Sequence, residues 1–518
     1  MSRNNFFLCV LLLRFLKSSY CYRPNVLFLI VDDLKPALGC YGDSQAYTPN
    51  IDKIASKSFI FTQTFAQQAL CAPSRNSFLT SRRPDTLHLY DFYSYWRDVA
   101  GNFTTIPQYF KERGYHSYSI GKVFHPGISS NFTDDQPYSW SQTPFHPTTI
   151  KFKDAKVCIN QDGTRSANLI CPVIIEYQPM ATLPDIESKN EAIKFLHKRK
   201  RIVTNPPYFL AVGFHKPHIP FKFPEHFLDL HPLSNISLPV NRMIPPSLPT
   251  IAWNPWIDIR TRDDMKKLKI PFPYGPMNDE ITKQIIQAYY ASVSYVDELI
   301  GKVLREVDLD NTIVVLTGDH GWSLGEHGEF SKFSNFEEAT RVPLIIHVPR
   351  LSTRKIIINV LVELVDLFPT LVDLTAISES LPLCPSTKRY NTCTEGRSLM
   401  RLMIDALRKP QNHNRKSAIF TQYPRPGLYP TLDPNSDEPR LKNIKIMGYS
   451  IKTKRYRYCE WVKFNSTNFS IKWNEVYARE LYDHLIDPKE DLNLADRPQF
   501  SDLIKKLKRK LIKGWRKA

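Results

Sequence analysis

The chain has 518 residues, of which 42% are hydrophobic and 23% are charged. This apolar content predicts a globular protein and excludes a disordered one, and the length is sufficient for one large core plus a smaller unit. Lysine and arginine outnumber the acidic residues by 69 to 51, giving a formal net charge of +18. We therefore expect an anionic partner, although charge alone does not choose among sulfated polysaccharide, nucleic acid and anionic lipid.

The first 21 residues have the outline of a signal peptide, with Arg3, an apolar run over residues 6–13, and Ser18 and Ser19 near the end. The apolar run is much shorter than the ~20 residues that a membrane span needs. We therefore expect a secretory-pathway protein without a membrane span. Asn-X-Ser/Thr triplets, which are acceptors for glycosylation, begin at Asn102, Asn131, Asn235, Asn465 and Asn468.

The nine cysteines include two pairs that are close in sequence, Cys158 with Cys171 and Cys384 with Cys393. In an oxidising compartment these pairs predict two small disulfide loops. Three further cysteines remain in the mature chain, so at least one of them needs another explanation. They are Cys40, Cys71 and Cys459.

Buried-strand and helix patterns alternate through the first three quarters of the chain. This alternation predicts an α/β fold with a large, mostly parallel central sheet flanked by helices. Predicted strands cover residues 25–31, 59–65, 115–120, 208–213, 312–317 and 344–348, and predicted helices cover 48–58, 106–113 and 280–307.

Three later stretches predict the rest of the organisation. Residues 235–277 are rich in proline and have no period, so we expect a surface loop system at the rim of a substrate cleft. The polar, basic residues 401–416 predict a linker that is sensitive to proteases. Beyond it, alternating runs at 444–451 and 455–464 predict a smaller α+β unit with an antiparallel sheet. The expected organisation is a signal peptide (1–21), a catalytic domain (22–410) and a C-terminal subdomain with a basic tail (411–518).

Acidic residues follow two of the predicted strands. Asp32 and Asp33 come after the first strand, and Asp319 and His320 come after the strand at 312–317. Ligands bind at the carboxyl ends of strands in such sheets, and carboxylate oxygens suit Ca²⁺ or Mg²⁺. A capped turn explains either pair taken alone, but two pairs in equivalent settings favour a metal site.

The segment Cys71-Ala-Pro-Ser-Arg75 predicts a helix start. Pro73 suits the first turn, and Arg75 lies one turn after Cys71 on the same face. Thiol and guanidinium are therefore expected to share one pocket. Taken in isolation, the segment is better explained by a buried or disulfide-bonded cysteine before a helix.

Four motifs together resemble the sulfatases of the alkaline-phosphatase-like superfamily over residues 23 to about 375: Pro24–Asp33, Cys71–Arg75, Gly121–His125 and Gly318–Trp322. The resemblance implies hydrolysis of a sulfate ester, and the expected substrate is the 2-O-sulfate of non-reducing-end iduronate in heparan or dermatan sulfate. It also implies a lysosomal or secreted enzyme with a sulfated glycosaminoglycan partner and no nucleic-acid partner.

By the same resemblance, a formylglycine-generating enzyme oxidises Cys71, and the hydrated aldehyde supplies the nucleophilic oxygen. One calcium ion is expected to bind that residue and Asp32, Asp33, Asp319 and His320. The remaining expected catalytic residues are Arg75, Lys122 and Lys332 around the sulfate, His125 on the second hydroxyl, and His218 as the acid that protonates the leaving sugar oxygen. Without the motifs, these lysines and histidines would be ordinary surface or packing residues, and His215 competes with His218 for the acid role.

Two departures from the resemblance concern substrate recognition. Glu438 stands where a base is expected for the iduronate carboxylate, and Arg425, Arg440 and Lys442 are the alternative candidates. The basic tail, residues 501–518, is not explained by the resemblance and is expected to be solvated. The alternatives are a phosphatase or phosphodiesterase, which would need a serine or threonine nucleophile, a sulfatase of other sugar specificity, and a non-catalytic glycosaminoglycan-binding pseudo-sulfatase.

Overall fold

The computed structural model describes residues 23–160, 162–201, 206–385, 390–408, 416–433 and 436–517. The predicted signal peptide lies outside these residues. Seven strands form the central sheet: β1 (Asn25–Val31), β2 (Phe59–Phe65), β3 (His116–Gly121), β7 (Tyr208–Phe214), β9 (Thr312–Gly318), β12 (Arg341–His347) and β13 (Ile356–Glu363). Three short pairs lie outside it: β4 (Cys158–Ile159) with β5 (Arg165–Ser166), β6 (Ile170–Val173) with β8 (Phe221–Pro224), and β10 (Ser323–Leu324) with β11 (Phe330–Ser331).

The central sheet has the order β13-β2-β12-β9-β1-β7-β3. Strands β7, β1 and β9 run parallel in continuous register, so that Val26 lies between Phe209 and Ile313. Only β12 runs against both of its neighbours in this sheet. The predicted α/β class with a large, mostly parallel sheet is confirmed.

Strand β1 is buried on both faces, which explains its unbroken apolar sequence. Leu27 and Leu29 point into one core, and Val26 and Phe28 point into the core on the opposite face. Helices cover both faces. The α-helices described before the C-terminal sheet are α1 (Pro49–Ala55), α2 (Cys71–Thr80), α3 (Pro84–Leu87), α4 (Trp96–Val99), α5 (Ile106–Lys111), α6 (Pro184–Lys200), α7 (Ile257–Arg260), α8 (Asp263–Lys267), α9 (Asp279–Leu304), α10 (Glu337–Thr340), α11 (Leu367–Thr375) and α12 (Met400–Arg408).

A second sheet follows in the C-terminal part and is antiparallel throughout, as predicted. Its strands are β14 (Ile419–Arg425), β15 (Ile446–Lys452), β16 (Tyr456–Asn465) and β17 (Ser470–Asp483), and the last helix is α13 (Ser501–Lys513). The prediction of a solvated tail is wrong for one side of α13. Leu507 and Leu511 are buried and pack into the core of this sheet. Most cations of α13 are exposed, but Lys508 is half-buried and lies 3.0 Å from Glu460 Oε2.

Two further predictions need correction. Residues 235–277 are not a surface loop system throughout, because they contain α7 and α8 and because Trp253 and Trp256 are fully buried. The sequence did not predict this burial, because the apolar residues of this segment follow neither a helical nor a strand period. Residues 401–408 belong to α12 rather than to a linker, with Met403 buried in the core. The predicted 410/411 boundary lies outside the described residues, so the domain division stays a prediction.

Both predicted disulfides, Cys158–Cys171 and Cys384–Cys393, are present. Cys40, Cys71 and Cys459 are free thiols. The asparagines of all five acceptor triplets are exposed. Within the described ranges, no helix combines the length and the apolar character that crossing a membrane requires.

Candidate active site

The candidate site lies at the carboxyl ends of the central strands, as parallel pairing requires. Asp32 and Asp33 follow β1, Asp319 follows β9, and Lys122 follows β3, so the sheet brings together residues far apart in sequence. Asp33 has a φ of 60°, which turns the chain sharply after the strand. Its backbone N–H donates to Asp319 Oδ1 at 3.0 Å, which ties the two strand ends together.

Cys71 begins helix α2 and is 1% exposed. Three predicted site residues surround its sulfur atom. Lys332 Nζ lies 3.1 Å from Sγ, His320 Nε2 3.3 Å and Lys122 Nζ 3.6 Å. Burial, together with the carboxylate of Asp32, raises the pKa of the thiol to about 12. An unmodified Cys71 would therefore stay protonated and be a poor nucleophile.

Arg75 lies one turn into α2 and is fully buried. Its guanidinium donates to Asp32 Oδ1 and to Asp319 Oδ2, both at 2.8 Å, and to the carbonyl of Val123 at 3.1 Å. It therefore holds the ends of β1, β3 and β9 in one arrangement. The sequence expectation that Arg75 shares the pocket of Cys71 is met, with the guanidinium directed at the carboxylates.

The two lysines neutralise the acidic pair. Lys122 Nζ lies 2.5 Å from Asp32 Oδ2, and Lys332 Nζ lies 2.8 Å from Asp33 Oδ1. Burial raises the pKa of Asp32, but Lys122 and Arg75 outweigh it and hold that pKa well below its usual range. For Asp33, burial outweighs the charge of Lys332, and the pKa is raised.

The donor set fits a hard cation such as calcium. One ligand atom each from Asp32, Cys71, Asp319 and His320 lies within 4.8 Å of the others. Asp33 Oδ2 is buried and has no hydrogen-bond partner among the described residues, which leaves it available to a cation. His320 Nδ1 lies 3.0 Å from the carbonyl of Gly321, so a proton there leaves Nε2 free to accept. Carboxylate oxygens predominate, as calcium prefers.

The two predicted histidines line a cavity of about 180 Å³ that also borders Asp32 and Lys122. His218 Nδ1 lies 2.6 Å from the carbonyl of Ile219, which directs its other nitrogen away from that backbone. The ring of His125 lies 4.4 Å from that of Phe92. His215, which competes with His218 for the acid role, has its Nδ1 3.3 Å from Asp185 Oδ1. All three histidines line the cavity.

The three residues predicted as candidates for binding the iduronate carboxylate lie outside this cavity. The Arg425 guanidinium is buried and donates to backbone carbonyls, including that of Phe333 at 2.7 Å, so it has little capacity left for a sugar. Arg440 is exposed and lies over the ring of Tyr93. Lys442 is exposed, and none of these three lines the cavity.

Sequence reasoning missed three lysines that line the same cavity, Lys153, Lys216 and Lys222. Lys216 and Lys222 flank the segment that carries His218, and that proximity was the available signal. Lys153 lies in a stretch without periodicity, so nothing in the sequence connects it with the site. Sequence reasoning also missed that burial and the charge of Asp258 raise the pKa of Glu438 to about 7.

The sulfatase family model matches residues 24–377. The chain belongs to the sulfatase family. Among curated sulfatases, iduronate 2-sulfatase of Mus musculus is 48% identical over 517 residues, covering 93% of this chain and 93% of the relative. The human iduronate 2-sulfatase is also 48% identical, with the same coverage. As a sulfatase, the protein is a sulfuric ester hydrolase of a family that depends on formylglycine and a metal ion.

Solved structures agree on the fold. A phosphonate monoester hydrolase of Agrobacterium radiobacter has a TM-score of 0.69 at 18% identity, covering 95% of each chain. A structure determined in complex with D-glucosamine-2-N,6-O-disulfate has a TM-score of 0.66 at 20% identity, covering 95% of this chain and 97% of the other. These similarities show that the sulfatase fold extends through the C-terminal sheet.

Proposed function

We propose that this sulfatase hydrolyses the 2-O-sulfate of iduronate at the non-reducing end of heparan and dermatan sulfate. The observation that carries the proposal is the 48% identity with two iduronate 2-sulfatases over nearly the whole chain. The net charge of +18 suits a polyanionic substrate. We further propose that the protein acts in the lysosome, which it reaches through the secretory pathway, in agreement with two disulfides and five exposed glycosylation triplets.

The proposed chemistry centres on residue 71, where Cys71 Sγ stands in for the oxygen atoms of formylglycine. Formylglycine hydrate would supply the attacking oxygen, and calcium held by Asp32, Asp33, Asp319 and His320 would polarise a sulfate oxygen. Lys122 and Lys332 lie within 3.6 Å of the sulfur atom. Both would stabilise the negative charge that builds on the sulfate oxygens, and Arg75 would keep the two acidic strand ends in place.

His218 would protonate the leaving sugar oxygen. Burial, followed by the charges of Lys153 and Lys332, lowers its pKa well below the usual value, so the imidazole is neutral in the free protein. A bound sulfate offsets those positive charges and raises the pKa, which favours a proton on His218 when substrate is present. His125, whose Nδ1 is buried without a described partner, would bind the second hydroxyl of residue 71.

The non-catalytic alternative is not favoured, since Cys71 and all the expected charged residues meet in one pocket. A phosphatase would need a serine or threonine where Cys71 stands. The remaining alternative, another sugar specificity, concerns only the residues around the cleft.

The test is to make the protein in cells that contain the formylglycine-generating enzyme and to measure the mass of the peptide with residue 71. The expected peptide has lost the thiol and gained an aldehyde. Cys71→Ser, made in the same cells, should fold and release no sulfate. Chelation should abolish activity, and calcium should restore it. Active protein in which every Cys71 is unmodified would contradict the proposal.

A further inference from the structure

The cavity beside the active site has a basic wall that the proposed chemistry does not use. It extends from Lys122 and His218 past Lys153, Lys216 and Lys222. Three ammonium groups along one partly enclosed wall repel one another, so their presence needs either internal partners or a bound anion.

Two of these lysines have internal partners. Lys216 Nζ donates to the carbonyl of Pro220 at 2.6 Å and also to that of His218. Lys222 Nζ donates to the carbonyls of Phe152 and Lys153 at 2.9 and 3.1 Å. Both side chains therefore hold the loops that form the wall.

Lys153 differs from them. Within the described part of the chain, its ammonium group has neither a hydrogen bond nor an ion pair. Its neighbour Asp154 is bound by Arg262 at 2.6 Å and is therefore engaged elsewhere. Lys153 is partly buried, and burial together with the charge of Lys122 lowers its pKa. A partly desolvated ammonium without a partner is stabilised when an anion binds it.

The position of Lys153 in the cleft also suits contact with an anionic group of the sulfated sugar. Lys153 lines the same cavity as His218, the group proposed to meet the leaving oxygen. Among the charged groups, Lys153 contributes most to lowering the pKa of His218. Glu438, at the expected place of a base, is an acid and supplies no positive charge. Its pKa is raised to about 7 by burial and Asp258, with Lys332 and Lys153 acting against them. A positive partner for a sugar anion must therefore come from another part of the cleft.

We propose that Lys153 binds a second anionic group of the substrate, beside the sulfate that is cleaved. The group is a carboxylate of the sulfated uronate or a sulfate of the next sugar, since either is an oxyanion that an ammonium group recognises. This inference rests on the proposed function, because a glycosaminoglycan end carries such a group and a simple sulfate ester does not.

The experiment compares Lys153→Gln with Lys151→Gln, which removes an exposed positive charge two residues away and outside the cavity. Four substrates are used with formylglycine-bearing protein: an iduronate 2-sulfate disaccharide with a sulfated second sugar, its carboxyl-reduced form, its form without the second sulfate, and an aryl sulfate. Loss of one charge-assisted contact should lower kcat/KM of Lys153→Gln for the full disaccharide by about 10- to 100-fold. The aryl sulfate should change by less than about threefold.

The two modified disaccharides identify the anionic group. The one that lacks the group bound by Lys153 should be cleaved by wild type and Lys153→Gln at nearly equal rates. Equal losses with all four substrates would show that Lys153 acts through the catalytic groups and would overturn the inference, as would full activity on every substrate. If wild type cleaves the aryl sulfate but not the iduronate disaccharide, the proposed function fails by itself, independently of Lys153.

Discussion

Replacing Arg75 by methionine should destabilise the protein strongly, because Arg75 bridges two buried carboxylates. Its two contacts, to Asp32 and Asp319, are both 2.8 Å long, and all three side chains are at most 1% exposed. Removing one partner of a buried ion pair lowers the free energy of unfolding by about 3–5 kcal/mol, because the remaining charges stay buried without compensation. Unfolding entropy for 518 residues is roughly 1 kcal/mol per kelvin, so Tm should fall by about 3–5 °C.

The matched control is Arg457→Met. Arg457 is also buried between two carboxylates, those of Glu480 and Glu490, but it lies in the C-terminal sheet. Both variants should lose stability to a similar extent in chelator, measured by calorimetry. Added calcium should restore more of the loss in Arg75→Met, because only there would the uncompensated carboxylates belong to the proposed ion site. Equal calcium effects on both variants, or an unchanged Tm for Arg75→Met, would refute this reasoning.

Three further predictions concern stability. The pKa of Asp437 is raised to about 8 by burial and Asp258, so the folded protein keeps a proton that the unfolded chain loses above about pH 4. Asp437→Asn should therefore gain stability relative to wild type as pH rises from 5 to 8 in urea titrations, and a constant difference would contradict this. Replacing Cys393 with alanine should lower the free energy of unfolding by about 2–3 kcal/mol, because it opens the Cys384–Cys393 loop. A variant as stable as the oxidised wild type in urea titrations would contradict this. Leu507→Ala should cost about 2–5 kcal/mol by leaving a cavity under α13, whereas the exposed Ile512→Ala should cost little.

The catalytic strands could be predicted because their sequence signals are local. Asn25–Val31 is an apolar run buried on both faces, and Phe59–Phe65 was predicted with its exact bounds. The acids that follow β1 and β9 could be placed together because parallel strands end at one edge of a sheet. The partnership of Cys71 with Arg75 followed from helical spacing.

What the sequence did not reveal depends on contacts between distant segments. Nothing in the sequence shows that Arg425 is enclosed by backbone carbonyls or that Lys153 lines the cavity beside His218. The polar sequence around residues 401–408 concealed a helix, since only two residues in it, Met403 and Ala406, are buried. Each of these features results from tertiary packing, which leaves no periodic pattern in the sequence.

The most direct test of the central claim is the ratio of kcat/KM for two disaccharides, one with iduronate 2-sulfate and one with glucosamine 6-sulfate at the non-reducing end. The protein must carry formylglycine at position 71 and be assayed with calcium at acidic pH. The proposed function predicts at least about a hundredfold preference for iduronate 2-sulfate, as expected when a site is built to pair with one anionic sugar. Equal or faster cleavage of the glucosamine 6-sulfate would contradict the iduronate assignment and leave a sulfatase of another specificity.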